Sequence, residues 1–455
     1  MVIFLNIVSQ NQNQIPMLKQ ILFSLSLLLT LGIFAWSVRK YYLRFKLTKA
    51  LPIGDWGKRL SIMLKVAIGQ EKILRKPVIG LIHALVFWGF IVITIGSIEM
   101  VIDGLSGSER VLGVLGGFYS IIVGSGDIMA LFIAIAMFVF LYRRIIMKVK
   151  RFDGREMQHK SHVDANIALT IILLLMVSLL GMNTFYIADK QTANEAIVGV
   201  YPVSYFFANL LNGMDIHQIH IWHEFNWWAH ILLIFFFANY LPYSKHFHVY
   251  SSVPNVFLSR LEPLGQLYNM PNITKEVKLM MDPNAAFADP PEDEEGEIER
   301  FGVKDIEDVN WKNYLDSLAC TQCGRCTSVC PANITGKSLS PRKIVMNVRS
   351  RMEEKSPGLI KQGKEFEDDK SLNGNWISAE ELWACTTCNA CAQECPVNIN
   401  QPSIIVDLRR YLVMEQSAAP AELNNVFQNI ENNGAPWQYS QDDRMNWAEE
   451  LYINA

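Results

Sequence analysis

Cys320-Thr-Gln-Cys323-Gly-Arg-Cys326-Thr-Ser-Val-Cys330-Pro331 and Cys385-Thr-Thr-Cys388-Asn-Ala-Cys391-Ala-Gln-Glu-Cys395-Pro396 hold every cysteine of the 455-residue chain. Both runs follow C-x2-C-x2-C-x3-C-P, the spacing with which a chain wraps [4Fe–4S] cubanes. The close triplet supplies three corners of one cluster, and the fourth cysteine, turned away by its proline, ligates the other. The pattern assigns one cluster to Cys320, Cys323, Cys326 and Cys395, and the second to Cys385, Cys388, Cys391 and Cys330. Zinc and disulfides are the plainer alternatives. Zinc sites use paired C-x2-C units rather than four cysteines closed by proline, and the two runs leave no cysteine over. Cysteines confined to cluster motifs fit a reducing compartment, so this part of the chain is expected in the cytoplasm.

Outward from these motifs the composition divides. The chain has 41 Lys and Arg against 44 Asp and Glu, and half of its residues are hydrophobic. The apolar residues concentrate before residue 245, in blocks long enough to cross a bilayer. The expected spans are Ile21–Val38, Val78–Val101, Phe118–Tyr142, Val163–Met182 and Trp227–Leu241, the last extended by His220–Phe225. Between spans 1 and 2 lie eleven Lys or Arg, and between spans 3 and 4 seven. The other two loops hold one each, Arg110 and Lys190. The positive-inside rule makes the basic loops cytoplasmic, so five spans put the N-terminus outside and the cysteines inside, in the inner membrane. This membrane placement also accounts for the basic residues, which argue for no nucleic-acid partner. Tyr201–Leu211 is apolar but too short for a span and reads as an interfacial or re-entrant helix.

Residues 1–16 lack the charged start and cleavage site of a signal peptide, and Met17 is an alternative start. Residues 1–248 form the transmembrane part and 249–300 a connector ending in an acidic, proline-bearing linker at 282–300. Residues 301–414 form the dicluster domain. Within it Pro341–Glu354 and Ala379–Ala384 read as helices, more than a compact two-cluster fold places between its motifs. Residues 415–455, with Trp437 and Trp447 among polar neighbours, read as a partner-docking tail.

Ionisable side chains inside a span are costly, so each histidine there needs a role. His83 lies about five residues into span 2 and His230 in the middle of the last span, with His246 and His248 closing it. His230 and His248 are eighteen positions apart, about 27 Å along a continuous helix, a separation that suits ligands for two stacked haems. Near the cytoplasmic face His83 pairs with His246 or His248 as axial ligands of a b-type haem. For His230 the facing position in span 2 is Ile93, which is no ligand. His159 and His162 read as solvated cations. His217, His220 and His223 read as interfacial, or as quinone or metal contacts. Asp127, after Gly124-Ser-Gly, reads as a helix start or as part of a proton path.

These residues carry a resemblance. With His83, Trp228-Ala-His230 and Pro242-Tyr-Ser-Lys-His246-Phe-His248, the membrane half resembles the cytochrome b subunits of respiratory nitrate reductase and membrane-bound heterodisulfide reductase. The gamma subunits of the former carry two histidines on span 2, where this chain has one. With Cys320-Thr-Gln-Cys-Gly-Arg-Cys, Thr335-Gly-Lys-Ser-Leu-Ser-Pro-Arg342 and Trp383-Ala-Cys-Thr-Thr-Cys, the soluble half resembles the helical dicluster domains of heterodisulfide reductase and anaerobic glycerol-3-phosphate dehydrogenase.

The resemblance implies an all-α protein, a five-helix transmembrane cytochrome b-like bundle followed by an α-helical ferredoxin domain. It implies a membrane-bound electron-transfer subunit that uses haem b and two [4Fe–4S] clusters between membrane quinone and a cytoplasmic redox partner. Heterodisulfide reductases also carry cysteine-rich CCG modules. No cysteine follows Cys395 here, which implies that the catalytic module is a separate redox subunit. The alternatives are a self-contained reductase, for which no Gly-rich nucleotide loop follows a strand, and a redox-sensing or assembly protein with a non-haem membrane anchor.

Overall fold

The computed structural model describes residues 15–281, 300–363 and 365–453. Most of the 1–16 lead-in and the acidic linker up to residue 299 lie outside the described residues. Among the described residues the chain is helical, with no β-strand.

Four helices are long and apolar enough to cross a membrane: α1 (Ile15–Phe45), α2 (Pro77–Ser106), α3 (Gly117–Ile145) and α4 (His159–Thr192). Their outward faces carry Leu28, Leu29, Ile121 and Phe138, all exposed. So much contiguous apolar surface marks a face meant for a membrane or a partner rather than water. Local chemistry sets the ends of α2. Pro77 sits where a missing N–H costs nothing, and Gly107 ends the helix at φ 74 with its N–H donated to the Asp103 carbonyl at 2.8 Å.

The fifth expected span lies within α6 (Ile216–Tyr240), which follows the short helix α5 (Pro202–Asn209). Asp215 caps α6 by accepting from the His217 and Gln218 N–H groups. α6 is not one of the four apolar helices. It carries Glu224, paired with Lys19 at 2.7 Å, and buries His230, Ile231, Phe235 and Phe237.

Two expectations change here. The last helix does not continue to His248. Pro242 cannot donate to the Ala238 carbonyl, and the Tyr250 hydroxyl donates to that oxygen instead, at 3.3 Å. Two 3₁₀ turns follow, and His248 opens a new helix, α7 (His248–Phe257), so the distance along one axis does not apply. Asp127 neither starts its own helix nor stands free. It lies inside α3, and its Oδ2 accepts the Val203 and Ser204 N–H groups at 2.8 and 2.9 Å, capping α5.

In the second half, α8 (Trp311–Ala319), α9 (Pro341–Gln362) and α10 (Gln401–Met414) surround a core that includes Tyr314, Leu318, Ile344, Val348, Met352, Ile405 and Leu408. The Ser340 hydroxyl caps α9, and Ser378 with Glu381 forms a capping box on Ala379–Trp383. α9 runs about two turns beyond its expected end. The halves share this core: Tyr41 and Phe45 of α1 and Phe247 pack onto it, with Phe45 edge-on to Tyr314 at 4.8 Å. The connector expected from residue 249 begins as α7, and Ser251 donates to the Leu318 carbonyl at 3.3 Å. The last described segment, α11 (Ala421–Asn433) and Asn446–Ile453, leaves Phe427, Ile430, Trp437 and Trp447 exposed.

Candidate metal centres

Each cysteine run bends at the same two places. Gln322 and Gly324 in the first run, and Thr387 and Asn389 in the second, have φ of 57°, 75°, 53° and 59°. For a β-branched residue such as Thr387 this backbone costs about 1–3 kcal/mol and persists only where surroundings impose it. Backbone donors point at the thiols: the Thr387 N–H of the turn lies 3.4 Å from Cys385 Sγ, and the Ile399 N–H, beyond the second run, 3.4 Å from Cys395 Sγ.

The thiols fall into two groups. Cys320, Cys323 and Cys326 have Cys395 beside them, and Cys385, Cys388 and Cys391 have Cys330 beside them. Each fourth cysteine thus stands with the other run's triplet. Burial is the first cause that pushes Cys320 up to about 11 and Cys391 and Cys395 up to about 12; crowding by neighbouring thiols adds to it. Such thiols are poor nucleophiles, and a bound metal reverses the preference by deprotonating its ligands outright. Among the described residues no three His, Cys, Asp or Glu converge tightly enough for a single ion. Two wider four-thiol cages suit a larger, multi-iron group. The second cage opens on a cavity lined by its four cysteines with Pro331, Leu339, Pro341, Pro402 and Ile405.

The surroundings of the two groups differ. The Cys320/Cys323/Cys326/Cys395 group, the inner one, is pressed against the loops between the long helices. Lys72 donates to the Cys395 carbonyl at 3.2 Å, Arg325 donates to the Lys72 carbonyl at 3.2 Å, and Ser161 bonds Gln322. Arg151 and Lys245 lie within electrostatic reach of Cys323 and Cys320. A Cβ on Gly324 would run into the Arg151 carbonyl, so only glycine admits this approach. Arg342, 1% exposed, ties the same loops together through Glu156 at 2.7 Å and the carbonyls of Arg151 and Asp153, both at 3.0 Å. The outer group, Cys385/Cys388/Cys391/Cys330, is braced within the second half, by Arg409 on the Leu382 and Cys385 carbonyls. Its Cys388 is exposed.

The histidines divide in the same way. His248 has His246 and His83 beside it, and burial with these neighbours pushes its ring down to about 3. The Nδ1 atoms of His83 and His248 are both buried without a hydrogen-bond partner, which fits rings presented to a group other than protein. Arg325, between the inner cysteines, lies within electrostatic reach of His83. His246 is otherwise engaged: its Nδ1 is 3.1 Å from the Ser244 hydroxyl and 3.9 Å from Asp164. His230 is 2% exposed, with Nδ1 at 3.0 Å from both the Leu175 carbonyl and the Ser178 hydroxyl. Ile93 packs in the apolar core. His217 and His220 are exposed, His223 lies against Tyr186, and His162 is 3.8 Å from Asp153.

Lys72, Arg325, Arg342 and Glu156 were not singled out as site residues by the sequence, since nothing in their spacing links loops some 190 to 320 positions apart. The Gly-Arg within Cys323-Gly-Arg-Cys326 was the available signal.

Residues 319–399 match the family model of the 4Fe-4S dicluster domain. Over most of its length it is similar to a probable iron-sulfur-binding oxidoreductase, FadF, of Bacillus subtilis, 30% identical over 86% of this chain and 55% of the relative. It is also similar to the EtfAB:quinone oxidoreductase of Syntrophomonas wolfei, 28% identical over 84% of this chain and 53% of the relative. A probable membrane-anchored ferredoxin of Chromohalobacter salexigens is 36% identical over 33% of this chain and 24% of its own length. Heterodisulfide reductase subunits match over shorter stretches. The chain spans about half the length of the first two relatives. No solved structure matches it.

Proposed function

We propose that the chain is a membrane-bound electron-transfer subunit that passes electrons between membrane quinone and a soluble redox protein, with substrate chemistry on a separate catalytic chain. The observation that carries this reading is that Arg325, inside the inner cysteine run, lies within electrostatic reach of His83, which lies within reach of His248. In this reading Cys320, Cys323, Cys326 and Cys395 hold one [4Fe–4S] cluster, and Cys385, Cys388, Cys391 and Cys330 the other. His83 and His248 hold a haem b, which when bound supplies one-electron oxidation and reduction between quinone and the iron–sulfur centres. His248 is preferred to His246 because His83 is among the electrostatic neighbours of His248 and not of His246. No haem is assigned to His230, because α2 carries no second histidine to pair with it.

We further assign α6 as the fifth span and the basic loops, with both thiol groups, to the cytoplasmic face of the inner membrane. The relative named EtfAB:quinone oxidoreductase supports an EtfAB-like protein as the soluble partner and quinone as the membrane one. The exposed aromatic tail is its docking segment.

The test is the absorption spectrum and metal content of the purified, reduced chain. The expected result is a sharp b-type band for one haem, with about eight irons in clusters. His83→Ala is expected to remove the haem and keep the cluster iron. Absence of a haem band in the parent chain overturns the cytochrome assignment and favours a redox-sensing protein with a plain membrane anchor.

A further inference from the structure

The two thiol groups do not stand equally open to water. Four basic side chains, Lys72, Arg151, Lys245 and Arg325, crowd the inner group, and three of them come from loops of the membrane half. Gly324 meets the Arg151 carbonyl with no room for a side chain. Around the outer group every lining side chain belongs to residues 330–405, and the loop Thr386–Asn389 reaches the surface with Thr386 and Cys388 both exposed. A redox centre exchanges electrons with a soluble carrier where protein bulk is thinnest, and Cys388 of the outer group is exposed where the inner Cys320 and Cys323 are half-buried.

Resting on the cluster assignment above, we propose that the Thr386–Asn389 loop is the electron port of the soluble half. A soluble one-electron carrier exchanges electrons there, and the inner group serves only as the station between this port and the His83/His248 pair. In the inward direction the carrier loses one electron and is oxidised, and the outer site gains it. The outer site is then re-oxidised as the inner site is reduced. No bond to the protein forms or breaks, and no proton is needed at either station. The reverse direction uses the same order backwards.

The full chain in detergent, reduced in steps, provides the test by EPR. Cys330→Ser identifies the outer signal and Cys395→Ser the inner one, because each removes the fourth ligand from a different cage. A soluble dysprosium chelate is expected to speed the relaxation of the outer signal several-fold more than that of the inner one. Equal enhancement, or a larger effect on the inner signal, overturns the port. Thr386→Trp, which adds bulk over the loop and removes no thiol, is expected to reduce the chelate's effect on the outer signal alone; no reduction places the port elsewhere. In freeze-quench samples with reduced methyl viologen as the one-electron donor, the outer signal is expected first and the inner one after it. The opposite order overturns the sequence of stations. If the parent chain shows no [4Fe–4S] signal at all, the cluster reading itself fails, an outcome distinct from any change in order.

Discussion

Gly324 and Asn389 occupy the same place in two copies of one loop, and what surrounds them differs. Both residues have left-handed backbone, and both follow the second cysteine of a triplet. Asn389 faces the surface region, where an asparagine tolerates this φ and its Nδ2 ties down the Thr387 carbonyl at 2.8 Å. Gly324 faces the Arg151 carbonyl, where any Cβ collides. One motif has therefore been placed in two environments, one enclosed by basic loops and one open. The repeat supplies the cage chemistry, and the packing supplies the difference in access.

The largest expected break in this comparison comes from Gly324→Ala. The backbone alone costs about 1–2 kcal/mol, and the collision with Arg151 forces the inner loop off its seat. Iron content and EPR are expected to show loss of the inner signal with the outer one kept. Asn389→Ala is expected to keep both signals, at a cost of about 1 kcal/mol in stability. Equal tolerance at the two positions would show that the loops are not differently enclosed.

Next in size is the Arg342–Glu156 pair, which joins α9 to the loop before α4. Removing one partner leaves the other charge buried, so Glu156→Ala is expected to cost about 3–5 kcal/mol, read from thermal unfolding of the second half in the full chain. The pH dependence has a definite sign. Burial pushes the Glu156 carboxyl up, but Arg342, a backbone N–H and the Ser340 hydroxyl together outweigh it and hold the carboxyl below the usual range. Its contribution is therefore fully present above the ordinary carboxylate range near pH 4.3 and is lost as pH falls through the depressed value. The inner signal is expected to weaken in acid before the outer one, and Glu156→Gln is expected to remove that difference.

The smallest effect is electrostatic. Of the eight thiols Cys395, an inner one, is the electrostatic neighbour of Lys72, and the lysine's charge favours the reduced, more negative state of what lies beside it. Lys72→Gln is expected to lower the inner midpoint potential by about 40–90 mV, the equivalent of about 1–2 kcal/mol for one electron at an effective dielectric near 20. A redox titration is expected to leave the outer potential in place. A shift of both together would mean that the two groups share one electrostatic environment.

The helical class, the cysteine motifs and the four long apolar helices were legible in the sequence. These are local properties: hydrophobic length, residue period and ligand spacing are all written within a few tens of residues. The position of Pro242 was equally visible, yet its consequence was not, because the helix end at Tyr240 depends on which group takes the Ala238 carbonyl. Asp127 likewise read as a helix start, although its partners are the first N–H groups of a helix some 75 positions later. That His83 lies within electrostatic reach of His248, and that Cys388 is exposed where no inner cysteine is, follows from the fold. Both outcomes come from contacts between segments far apart in the chain, such as Lys72 with Cys395 and Arg342 with Glu156, and no local pattern encodes which distant loops will meet.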